Sequence, residues 1–333
     1  MKLENSFARI SLICSCLTIA ACTAHLAERK ESASIDTFIK QMVSRHHFNE
    51  TELDELFESV EIKENILKTM TKPAEGMPWY KYRKIFLTEA RINAGVTFWR
   101  ENEVALTAAE QRYGVPAEII IAIIGVETLY GQNTGNHRVI DALSTLAFAY
   151  PPRSKFFLSE LENFLLLCRE ENIPPLNPTG SYAGAMGMPQ FMPSSFRTYA
   201  TDFDNDNFRD IWHNKADVIG SVANYFAKHH WQTSQDIAFP VKAEGEVYKS
   251  ALNNDLKPAL TFAELQSLKI DTLGQPPLNS KIKLLAFELE NSRELWAALD
   301  NFYVITRYNH SPLYAMAVFQ LSKAIANKKS LLL

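Results

Sequence analysis

Residues 115–131 read VPAEIIIAIIGVETLYG, and the fold follows from what this stretch must be buried against. Pro116 suits a first helical turn and Gly131 a helix stop, so a helix is predicted over 116–130. Seven of the eight residues from Ile119 to Val126 are apolar and larger than glycine, and a helix apolar on every face belongs in a core. Glu127 emerges from that wall, where loss of water disfavours the carboxylate and raises its pKa. An acid still protonated near neutral pH can protonate a glycosidic oxygen. The same residues also allow Glu127 simply to end the helix, paired with Arg138 or Arg153. Glu118 complements the helix dipole in the first turn, and Glu160 and Glu162 are predicted as surface charges.

Around this helix the chain is patterned for more helices. Apolar residues recur at helical spacing at Ile35, Phe38, Ile39, Met42 and Val43, then at Leu53, Leu56, Phe57 and Val60. Further helical runs fall near 81–113, 139–149, 154–171, 189–200, 215–230 and 312–327. From about Ile237 to Ile305 the pattern changes to Pro and Asn punctuation with β-prone runs, FPVKAEGEVY, LLAFEL and NFYVIT. The expected fold class is mainly α (α+β), with a small β-containing subdomain placed before a final helix.

Two loops carry candidate chemistry. NPTGSYAGAMGMPQFMPSS places Gly180, Gly184 and Gly187 within eight residues in a chain of 12 glycines, so backbone must approach something closely there. Ser181, Tyr182 and Gln190 offer donors and acceptors suited to a sugar, with Phe191 and the methionines as apolar walls. A tight turn packed on a neighbouring helix is the alternative, and no phosphate-binding glycine motif is present. In the second loop Asp202, Asp204, Asp206 and Asp210 fall at positions 1, 3, 5 and 9 of an EF-hand-like pattern, with the Phe208 carbonyl at position 7. Asn207 replaces the usual glycine and His213 the closing Glu, leaving Asp217 to close the site. The alternative is a self-hydrogen-bonded Asp/Asn turn capping the helix that contains IGSVANYF.

Composition bounds the remaining functions. With 47% hydrophobic and 22% charged residues the chain can bury a large core, and 34 basic against 38 acidic residues create no field for nucleic acid. Lys2 and Arg9 precede an apolar run from Ile10 to Ala21 too short to span a bilayer, which reads as a signal peptide over 1–21. Ile19, Ala20, Ala21 and Cys22 resemble a bacterial lipobox, making Cys22 the lipidated residue. Thr23 at the next position favours the periplasmic face of the outer membrane. Residues 22–34 are then the anchor and tether. Cys168 remains as the lone free thiol, in an apolar run where it reads as a small buried hydrophobe. Removal of 1–21 leaves 32 basic and 37 acidic residues, so binding of an anionic polymer needs local charges.

GVETLYG, LAFAYPPR, GSYAGAMGMPQFMPSS, IGSVANYF and NFYVITRYNHS, in this order, resemble the membrane-bound lytic murein transglycosylase B family, glycoside hydrolase family 103. The likeness runs from about Trp79 to Phe319, and Pro189 stands where some members have Gly. It implies a lysozyme-like core at 101–232 holding the EF-hand-like loop 202–217, an N-terminal helical domain at 35–100, a β-containing subdomain at 233–301 and a C-terminal part at 302–333 completing the groove. It also implies that Glu127 is the single catalytic acid and base, cleaving the MurNAc-GlcNAc bond of peptidoglycan strands with 1,6-anhydro-MurNAc ends. Substrate-lining positions are then Tyr82, Arg153, Ser181, Met188, Gln190, Tyr308, Asn309 and Tyr314. No cofactor is implied for catalysis, and the acidic loop is implied to hold a structural Ca2+ through Asp202, Asp204, Asp206, Phe208 and Asp217. A hydrolytic muramidase on the same core, or a non-catalytic peptidoglycan-binding lipoprotein, are the competing readings.

Overall fold

The computed structural model describes residues 35–70, 76–272 and 280–332. Residues 1–34, where a signal peptide, a lipidated Cys22 and a tether are expected, lie outside the described residues. No helix among the described residues is long and apolar enough to cross a membrane.

The predicted core helix is α7, Ala117–Thr128, and every residue of it except Glu118 and Glu127 is buried. Around it pack α5 (Glu89–Glu101), α6 (Glu103–Tyr113), α11 (Lys215–Lys228) and α14 (Pro312–Ser330). Where one helical run was expected over 81–113, the chain turns twice, giving α4 (Trp79–Phe86) before α5 and α6. The breaks are chemical. The Thr88 side chain accepts the Arg91 N–H at the start of α5, and Asn102 both ends α5 and begins α6 while its amide donates to the Phe98 carbonyl at 2.7 Å. The N-terminal helices, α1 over 35–46, α2 (Glu50–Glu58) and α3 (Glu64–Met70), have no core of their own. Phe38 and Phe57 meet Phe148 of α8 (Val139–Ala149) edge to face, at centroid distances of 6.1 and 6.4 Å. One continuous apolar cluster therefore runs from α1 through α7 to α14.

The β region forms a four-stranded antiparallel sheet in the order β4-β3-β6-β5, from β3 (Ala238–Ala243), β4 (Ile270–Thr272), β5 (Lys283–Glu288) and β6 (Arg293–Ala298). Alternation along β5 gives the sheet two apolar faces. Leu284 joins a separate small core with Val241, Leu265 and Ala297, whereas Leu285 and Phe287 join the main one. Trp79 locks the sheet to α4, stacking on Phe287 at 5.2 Å and donating its indole N–H to Glu294 at 2.7 Å.

Two expectations are corrected. NFYVIT, read as β-prone, lies in helix α13, Asp300–Tyr308. Its Asn301, Phe302, Ile305 and Thr306 are buried at helical spacing against the core, and tertiary packing overrides β-branched propensity. Glu160, expected on the surface, is 4% exposed on α9 (Ser154–Glu170). It accepts hydrogen bonds from the Ser194 N–H and hydroxyl, capping α10 (Pro193–Tyr199), whose preceding Met192 supplies no side-chain cap. Glu162 stays partly exposed and meets His46 at 2.7 Å.

The short strands β1 (His137–Arg138) and β2 (Thr179–Gly180) tie the segment after α7 to the glycine-rich loop. Gly135 makes this possible: its φ is +91°, and a Cβ there would lie 2.1 Å from the Gly180 carbonyl oxygen. Gly135→Ala is expected to lower stability by about 2–4 kcal/mol, combining left-handed strain with a backbone clash. Urea denaturation measures it, and a loss under about 0.5 kcal/mol contradicts this account.

Candidate active site

Glu127 stands at the last turn of α7, and the chain then reverses sharply: Leu129 and Tyr130 both take positive φ, 51° and 60°. The helix thus ends three residues before Gly131. Tyr130 folds back over Gly125, where a Cβ would lie 2.6 Å from its hydroxyl, and that hydroxyl donates to the Arg91 carbonyl at 2.9 Å. Thr128, 1% exposed, donates to the Met188 carbonyl at 2.9 Å and accepts the Gly131 N–H at 3.0 Å. The residue beside the acid is therefore what holds the glycine-rich loop against the helix end.

That loop is organised from within. The Ser181 hydroxyl accepts the Ala183 and Ala185 N–H groups, Gly180 and Phe191 each bridge to Met186, and the Met188 N–H donates to the Ile211 carbonyl. Gln190 sits at φ 52° and its amide donates to the Thr134 and Gly187 carbonyls, so its side chain is held rather than free. The opposite side comes from α13 and α14. Tyr308 donates to the Pro189 carbonyl at 2.6 Å and stacks among Phe191, Tyr225 and Phe226. Tyr314 donates to the Glu127 carboxylate at 2.5 Å. Tyr82 stacks between Trp79 and Phe86 on α4 and is near enough for its phenol to influence that of Tyr314.

Glu127 keeps intermediate exposure, as a group lining a groove must, yet burial of its carboxyl pushes the pKa up to about 7, against a smaller lowering by the Tyr314 hydrogen bond. Burial, and then the charge of Glu127, holds the Tyr308 and Tyr314 phenols well above their ordinary value, so both remain donors. The alternative, an ion pair to Arg138 or Arg153, is not formed. Arg138 binds Asp141, and Arg153 stands exposed with its guanidinium 4.4 Å over the Phe156 ring.

The structure thus gathers Glu127, Met188, Gln190, Tyr308 and Tyr314 into one contact network, with Tyr82 at its edge. Ser181 shapes the loop from inside, Asn309 is exposed at the end of α13, and Arg153 lies off the network on a 3-10 turn. Thr128 was not singled out from sequence, since a threonine at a helix end carries no distinctive pattern. Cys168 is buried, and burial pushes its thiol up to about 12, as befits a packing residue. A cavity of about 490 Å3 lined by His47, Phe48, Arg169 and Pro174 shares no residue with this network.

In the acidic loop, Asp202, Asp204 and Asp217 each bring an oxygen within 4.8 Å of the others. Asp217, fully buried, accepts the Phe203 and Asp210 N–H groups, and burial followed by the Asp204 and Asp202 charges keeps its pKa raised despite those bonds. Asp206 is turned to the Phe208 N–H and Asp210 to the Trp212 and His213 N–H groups, outside the cluster of three. Asn214 caps α11.

A helical body with a small sheet, an acid at the buried end of its central helix and a glycine-rich wall define a class of glycan-cleaving enzyme. The transglycosylase SLT domain family matches residues 30–323, and the chain belongs to that family. It is 43% identical to membrane-bound lytic murein transglycosylase B of Escherichia coli (strain K12) over 301 residues, 87% of this chain and 81% of that protein. Among solved structures it resembles soluble lytic transglycosylase SltB1 of Pseudomonas aeruginosa (47% identity, 89% and 99% coverage, TM-score 0.85) and the E. coli lytic transglycosylase Slt35 in complex with calcium (41%, 89% and 94%, 0.82). SltB3 of P. aeruginosa, in complex with NAG-NAM-pentapeptide, is 29% identical, covering 89% and 80% with a TM-score of 0.79. The fold is lysozyme-like, and the protein is a lytic murein transglycosylase acting on peptidoglycan.

Because the Glu127 carboxyl is raised, the folded state keeps its proton in a range where the unfolded chain has released it. Its contribution to stability is complete below the ordinary carboxylate pKa of 4.5 and is lost as pH rises through about 7. Glu127→Gln is therefore expected to be more stable than wild type at pH 8 by about 1–3 kcal/mol, the gap closing below pH 4. Denaturation at the two pH values tests the sign, and a gap that widens in acid rules out a desolvated acid.

Proposed function

We propose that Glu127 is the single acid and base of the transglycosylation. The observation that carries this is a carboxyl pushed to about 7 at the end of an apolar helix, with Tyr314 oriented on its oxygen. Protonated, Glu127 donates to the oxygen linking N-acetylmuramic acid to N-acetylglucosamine, while the acetamido oxygen of the muramyl residue stabilises the developing cation. As a carboxylate, it receives the Tyr314 hydrogen bond and takes the proton of the muramyl C6 hydroxyl. That oxygen closes the 1,6-anhydro ring, and no water is consumed. Other candidate carboxylates stand elsewhere, Glu118 at the opposite end of α7 and Glu160 capping α10, so one group serves both steps. Gln190, Tyr308, Asn309, Tyr82, Ser181, Met188 and Arg153 line the glycan path. The division into a catalytic core at 101–232 completed by 302–333 is part of the same proposal.

Mass spectrometry of products released from purified sacculi is expected to show anhydro-muropeptides from wild type and none from Glu127→Gln. Hydrolysed ends without the anhydro mass loss would falsify ring closure and favour a muramidase on this core.

The acidic loop is proposed to hold Ca2+ through Asp202, Asp204 and Asp217, supported by their convergent oxygens and by the calcium complex of Slt35. Its role is structural, joining the loop to the start of α11. Millimolar Ca2+ is expected to raise the melting temperature of wild type, and Asp204→Asn to abolish the increment. An equal rise in both proteins counts against the site. Lipidation at Cys22 and placement at the periplasmic face of the outer membrane remain proposals resting on the lipobox-like residues and on the membrane-bound E. coli relative.

A further inference from the structure

The chain carries a net charge of −4, yet its substrate bears anionic peptide stems, so recognition of a peptide-bearing strand requires a local cation near the glycan path. Such a group stands at the end of α13. Arg307 immediately precedes Tyr308 and Asn309, and its carbonyl accepts the Tyr225 hydroxyl at 2.6 Å, which fixes the backbone. Its guanidinium lies 6.0 Å from the Tyr303 ring centre and reaches His310 Nε2 at 3.0 Å. Among the described residues no carboxylate lies within ion-pair distance of it. Arginine can only donate, so Nε2 must be the acceptor and His310 carries its proton on Nδ1. The exposed imidazole then presents an N–H beside a guanidinium with unused donors. His229, the other imidazole near Arg307, adds no charge, because burial first and the Arg307 charge second keep it neutral.

We infer that Arg307 and His310 form a carboxylate-binding subsite that takes the peptide stem of the muramyl residue held at the groove, an assignment that rests on the transglycosylase reading above. Planar, forked donors suit a carboxylate in two-point contact, and the Tyr225 anchor with the His310 contact orders the arginine before substrate arrives. Arg307 and His310 flank Tyr308, the last residue of α13, and Asn309, its extended C-cap, so a sugar placed against those two has its lactyl-linked stem within reach of this pair. The groove would then distinguish peptide-bearing strands from naked ones, a discrimination the aromatic and amide groups around Glu127 have no charge to make; the other cation proposed for the path, Arg153, stands off that network over the Phe156 ring.

Binding separates this from the chemistry. In the Glu127→Gln background, soluble strands with intact stems are expected to bind about tenfold more tightly than strands stripped of peptide by an amidase, one charge-assisted contact's worth. Adding Arg307→Gln is expected to erase that preference, and Arg307→Lys to restore part of it. A preference that survives Arg307→Gln, an equal loss on both strands, or no preference in the parent overturns the assignment. Absence of anhydro products from wild type, with the binding preference intact, would instead sink the proposed chemistry and leave the subsite standing.

Discussion

The transfer of one carboxyl out of water is the constraint on which the rest depends. On the proposed chemistry Glu127 has to remain protonated until a glycosidic oxygen reaches it and then survive as an anion, and both states have to be held by the same surroundings. Burial favours the first state and the Tyr314 hydroxyl the second, so the carboxyl lies near 7 rather than at either extreme. That balance needs a helix apolar on every side, and such a helix in turn needs neighbours all round. The surrounding ring of α5, α6, α11 and α14 is what makes an acid with this character possible.

Holding the groove open next to this acid is a separate task, handled by backbone. Thr128 joins the helix end to the Met188 carbonyl, Gly135 lets β1 approach β2, and Tyr308 reaches across to the Pro189 carbonyl. These contacts join elements more than forty residues apart in sequence around the glycine-rich loop. Pro189 carries no N–H, but its carbonyl is what Tyr308 uses, so a proline is compatible with the loop. The sheet contributes at a distance, by fixing Trp79 and hence the position of Tyr82.

Much was legible in the sequence because apolar periodicity records burial directly. The stretch 115–131 announced the core helix and its acid, glycine density marked the loop, and alternating aspartates marked a turn with convergent oxygens. Where reading failed, the cause was a partner distant along the chain. NFYVIT is β-prone by composition but becomes a helix because Phe302 and Ile305 share one buried face. Glu160 resembles any solvated charge until α10 presents its uncapped N-terminus to it. Asp206 is the local exception: it follows the metal-loop spacing, yet its carboxylate accepts the N–H of Phe208, two residues on.

By itself the sequence determined the helical class, the family and the apolar helix that ends beside Glu127, since each depends on local pattern or on motifs in fixed order. Only the tertiary structure decided the state of that acid. Whether Glu127 would be an ion-paired helix end or a desolvated proton donor turned on its partner being the neutral phenol of Tyr314, 187 residues away, and not Arg138 or Arg153. A pKa is set by the charges and dipoles within a few ångström and by the water excluded there, and spacing along a chain does not specify that neighbourhood.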